Sequence, residues 1–104
     1  MKNKIEKLLK LKKVSEKVSS RALHLVNALV EAEIEFFHSI DYDYVEFTFG
    51  KNDDTITFAV GDYKDGIEYH QTAPGFSYFV HMGEDAASKL IKSNDFSWAG
   101  KRFF

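Results

Sequence analysis

Apolar and polar positions alternate with period two along two neighbouring stretches of the chain. In the first, Val45, Phe47 and Phe49 alternate with Tyr44, Glu46 and Thr48. In the second, Ile56, Phe58 and Val60 alternate with Thr55, Thr57 and Ala59. Gly50-Lys51-Asn52-Asp53-Asp54 lies between them. Alternation of β-branched and aromatic residues on both sides of a Gly/Asn/Asp cluster predicts an antiparallel hairpin with one buried face. Two further runs extend it. Ile67–Thr72 places Ile67 and Tyr69 on one face, and Phe76–Met82 does the same with Phe76, Tyr78, Val80 and Met82. Asp65-Gly66 and Ala73-Pro74-Gly75 are the turns before each run. Short connections between successive strands predict a meander, not parallel crossovers.

Before the hairpin the period changes. Leu11, Val14, Val18, Ala22, Leu25, Leu29, Ala32 and Phe36 recur every three or four residues, one apolar stripe along a helix from Lys2 to about Ala32. As one helix of roughly 30 residues it would be about 45 Å long. A body of this chain length is roughly 33 Å across. The helix must therefore overhang, bend or break, and Ser15, Ser19 and Ser20 are the expected break because serine favours N-cap positions. The helix should end near Glu33, with an extended lead-in to the hairpin after it. Gly83–Lys92 reads as a short helix, with acids first and lysines last as the macrodipole prefers. The expected fold is α+β: a long N-terminal helix or two helices, a four-stranded antiparallel meander, and a short C-terminal helix. Residues 1–104 form one domain, with 1–21 as a basic helical arm.

Composition narrows the chemistry. The chain has no cysteine, which removes disulfides, thiolate metal sites and cysteine nucleophiles. No G-x-S-x-G, Walker or G-x-G-x-x-G pattern occurs. The four histidines, His24, His38, His70 and His81, lack chelating spacings. The carboxylate pair Asp53-Asp54 sits where a hairpin turn already calls for Asp. No cofactor, metal or catalytic residue is expected. With no signal-like h-region and no apolar stretch long enough for a bilayer, a cytoplasmic protein without a membrane partner is the expectation.

Charge is split. Residues 1–21 hold eight Lys/Arg against two Glu, and the rest of the chain is acidic. Lys10, Lys12, Lys13, Lys17 and Arg21 are the candidates for contacting a partner or a nucleic-acid backbone. A solvated helix side explains the same lysines. Leu11, Val14 and Val18, on the end of the stripe that would overhang, are the candidates for self-association in a homodimer. Tyr44, His70, Phe79 and His81 share the second sheet face and are candidate ligand contacts there, unless the tail aromatics Trp98, Phe103 and Phe104 cover it. Together these features predict a non-enzymatic interaction protein of the regulator or inhibitor type. It would bind a macromolecular partner and associate with itself. The alternatives are a nucleic-acid-binding protein using the basic helix and a small-ligand binder or small enzyme using the His/Tyr face.

Overall fold

The computed structural model describes residues 1–41, 43–51, 54–62 and 65–93, with the backbone alone at Lys51, Asp54 and Phe76. Asp53 and the tail residues Trp98, Phe103 and Phe104 lie outside the described residues.

The expected helix is two: α2 (Glu16–Glu31) carries the Val18, Ala22, Leu25 and Leu29 part of the stripe, while α1 (Lys2–Leu11) buries Ile5 and Leu9 and leaves Leu11 exposed. Ser15 makes the break: its Oγ accepts the Val18 amide at 3.2 Å, capping α2, while Ser19 and Ser20 continue the helix. Each helix stops in the same way. Lys13 and Glu33 adopt φ of 56° and 57°. The Val14 amide then reaches Leu9 O, and the Ile34 amide reaches Leu29 O, both at 3.0 Å. These are Schellman motifs built without glycine. The reversal after Lys12 folds α1 back on α2, and Ile5 and Leu9 become buried. Burying two such side chains contributes roughly 1.5–3 kcal/mol each. Residues 1–21 are therefore packed on the body by their apolar side, with their lysines outward.

Among the described residues the sheet has five strands, not the expected four: β1 (Phe37–Asp41), β2 (Tyr44–Lys51), β3 (Asp54–Val60), β4 (Ile67–Ala73) and β5 (Phe76–Met82). They lie in sequence order, every pair antiparallel. The lead-in segment is the extra strand. Its periodicity hid it, because its large apolar residue Phe37 points away from the core while His38 faces Phe47. Only Ile40, opposite Val45, follows the usual rule. Such a pattern is tolerated at a sheet edge, where one side of the strand meets no neighbour.

One face of the sheet, with Val45, Phe47, Phe49, Ile56, Phe58, Val60, Ile67 and Tyr69, packs under the helices. From above, α1 and α2 supply Ile5, Leu9, Val18, Ala22, Leu25 and Leu29, and α3 (Glu84–Ser93) supplies Ala87 and Ile91. The aromatic rings interlock: Phe36 stands edge-on to Phe47 at 5.5 Å, and Phe58 lies 5.2 Å from Tyr69. Burying Tyr69 requires a partner for its hydroxyl, which donates to Gln71 Oε1 at 2.7 Å. Helices α2 and α3 run the same way, since His24 meets Asp85 at one end and Glu31 meets Lys92 at the other. None of the described helices is long and apolar enough to cross a membrane.

Candidate functional site

Strand parity sends Phe37, Thr48, Thr57, His70 and Phe79 to the other face of the sheet, in one row across all five strands. Ser39, Glu46, Ala59, Glu68 and His81 form the next row. Three of the four ligand-face candidates meet at the β4–β5 end. His70 and His81 are diagonal, not opposite: His70 faces Phe79, and Glu68 faces His81. The Phe79 ring stands between the two imidazoles, 4.5 Å from His70 and 5.0 Å from His81, edge-on to both. Beneath them the Glu68 carboxylate lies 3.2 Å from His70 Nε2 and 3.7 Å from His81 Nε2. Phe79 remains 49 % exposed.

Tyr44 joins this group from β2. Its hydroxyl pKa is pushed up to about 12, first by burial, then by the negative charge of Glu46 and Glu68, and by donation to Glu46. Burial is the largest cause, and the two carboxylates add to it. Glu68 and Glu46 were not among the sequence candidates. The signal was present, because a two-residue turn at Pro74-Gly75 pairs Ala73 with Phe76, and counting back from there sets Glu68 against His81. Gly75 takes the positive φ of 73° that such a turn needs. Among the described residues no group of three His, Asp or Glu is placed to hold a metal.

The basic candidates separate. Lys17 pairs with Asp62 at 3.1 Å, and Arg21 Nη1 donates to Gly61 O at 3.0 Å, so both fasten α2 to the β3–β4 connection. Lys10, Lys12 and Lys13 are exposed together at the α1–α2 elbow. The self-association candidates also divide. Leu11 is 77 % exposed beside those lysines, Val14 packs partly against the core, and Val18 is wholly inside it.

A feature that periodicity could not show lies at the far end of α2. Met1, Val30, Ile34, Phe36, Phe37 and Phe49 line a cleft of about 760 Å³. Phe37 is 81 % exposed and Val30 50 %. Glu33 and Glu35 stand at the same cleft and are exposed. α2 has no basic residue in its last turn, so its negative dipole end adds to these carboxylates. Comparison with protein-family models, with curated proteins and with solved structures yields no match for this chain.

Proposed function

We propose that the protein acts by binding, without catalysis of its own, and that the open sheet face receives a protein segment carrying lysine or arginine beside apolar side chains. One observation supports this reading above others. The half-exposed Phe79 ring and the acids Glu68 and Glu46 share a face on which the described residues include no lysine or arginine. An ammonium or guanidinium group there gains from the aromatic ring and from charge-assisted hydrogen bonds to the carboxylates. A regulator or inhibitor that works by covering a partner's surface needs no further equipment.

The test uses two labelled probes on the full chain: an arginine- and phenylalanine-containing peptide, and a DNA duplex. The peptide should bind with an affinity that falls as salt rises, and Glu68→Gln with Phe79→Ala should weaken it at least about tenfold, as expected when an interface anchor is lost. Indifference of peptide binding to both substitutions would remove the sheet face from consideration. Salt-sensitive duplex binding abolished by Lys10→Gln, Lys12→Gln and Lys13→Gln would favour the nucleic-acid reading instead.

A further inference from the structure

The β4–β5 end of the open face holds both histidines of that face. His70 and His81 flank one carboxylate, Glu68, with Nε2 atoms 3.2 and 3.7 Å from its two oxygens. Strand pairing fixes the arrangement, since Glu68 stands opposite His81 and two residues before His70 on its own strand. The Phe79 ring lies between the imidazoles, its centre 4.5 Å from one and 5.0 Å from the other. Both imidazoles are half-exposed, so protons from solvent reach them.

Histidine ordinarily changes charge between about pH 5 and 8, whereas carboxylates titrate near about pH 4. The groups that face this cluster from the neighbouring strands are few. β3 presents Thr57 and Ala59, which carry no charge. β2 presents Glu46 and Tyr44, and β1 presents Asp41 at the far edge. The Tyr44 phenol, raised to about 12, stays neutral throughout that range. Protonation of both imidazoles therefore takes the formal charge of His70, Glu68 and His81 together from −1 to +1. It also sets charged N–H donors against both Glu68 oxygens, the oxygens that an incoming cation would use.

We propose that His70 and His81 form a proton-operated switch on the sheet face. With both neutral, the face admits a lysine- or arginine-bearing segment beside Phe79; with both charged, it turns that segment away. The class of ligand rests on the binding role given to this face above, and the reversal of charge does not. A like charge about 5 Å away in water weakens binding roughly fourfold, so two of them weaken it at least about tenfold. The effect is largest at low ionic strength, where such charges are least screened.

The test follows the arginine- and phenylalanine-containing peptide on the full chain by fluorescence anisotropy, at about pH 8 and about pH 5.5. Its Kd should be at least about tenfold higher at the lower pH. His70→Gln with His81→Gln should cut that ratio to within about twofold, whereas His24→Gln, on α2, should leave it in place. An affinity that is equal at both pH values, or a ratio that survives the double substitution, overturns the switch. Charged nitroxides read the switch with no peptide present. At about pH 8 a cationic nitroxide should broaden the Phe79 ring signals more than an anionic one, and at about pH 5.5 the order should reverse. The reversal should be absent from the double variant. An order that holds at both pH values in the parent overturns the switch whether or not the peptide binds. A reversal without peptide binding at either pH supports the switch of charge and removes only the binding role of the face.

Discussion

Replacing Gly66 by alanine tests how the β3–β4 connection is tied to the helices. Gly66 has φ of 84°, and a Cβ built on it would sit 2.8 Å from Arg21 Cζ and 2.9 Å from its Nε. Two costs follow. The left-handed backbone costs an L-residue roughly 1–2 kcal/mol, of which about 0.4–1 kcal/mol is returned because alanine restricts the unfolded chain. The guanidinium must also move. It is the far end of a flexible side chain, so the steric cost is small, but its hydrogen bond to Gly61 O is lost. A charged donor to a carbonyl is worth about 1.5–3 kcal/mol, the lower end applying because Arg21 is partly exposed. Gly66→Ala should therefore destabilise by roughly 2–3 kcal/mol in urea unfolding followed by far-UV CD. Gly75→Ala is the control, for φ there is 73° with no atom within 4 Å of the added carbon. It should cost only the backbone part, about 0.5–1.5 kcal/mol. In an Arg21→Ala background the Gly66→Ala cost should fall to that same value. Additivity of Arg21→Ala and Gly66→Ala within about 0.5 kcal/mol would refute the coupling through the guanidinium.

Two further outcomes are expected. Lys13→Gly and Glu33→Gly each relieve a left-handed non-glycine residue, so each should stabilise by about 0.5–1 kcal/mol, and Glu33→Gly should gain more because it also removes an acid from the negative end of α2; a lower midpoint in thermal melts of both would contradict the capping geometry. The Tyr44 phenol, raised to about 12 from 10.0, stays protonated in the fold where it would ionise in the unfolded chain, so its contribution is complete below pH 10 and is lost as pH climbs towards 12; site-resolved NMR of its ring carbon should show the late titration, and Glu46→Gln should bring it earlier.

The parts of the fold that the sequence made legible are those with unopposed periodicity. Phe47 and Phe58 alternate with threonines whose hydroxyls now meet across the open face, Thr48 Oγ1 to Thr57 Oγ1 at 3.1 Å, and a one-residue slip would turn the large residues outward. The helix stripe was as clear in its spacing but silent on continuity. The reversal at Lys12-Lys13 turns Leu9, not Leu11, to the core that Val18 joins, and nothing in the three-and-four spacing announces the change. Glycine would have announced that break, and the chain uses Lys13 and Glu33 instead. Strand β1 was legible only as an extended lead-in, since its exposed residue is the aromatic one and its inward residues are His38 and Ile40.

The candidate sites divide along the same line. Parity put Tyr44, His70, Phe79 and His81 on one face correctly, because parity follows from each strand alone. Glu68 became visible only through pairing across a turn, and it changes the character of the face: a carboxylate between two imidazoles turns an aromatic surface into an acidic one. The cleft is one step further from sequence, since Val30, Phe37 and Phe49 come from α2, β1 and β2 and share no period. What marks it is a conflict within α2. The helix ends in Glu31, Ala32 and Glu33 with no basic residue in its last turn, against the preference of its dipole. Lys92 offsets one of those acids and leaves the charge of Glu33 facing the cleft. An acidic helix end beside the exposed side chains of Val30 and Phe37 is therefore locally unfavourable in charge and in solvation alike.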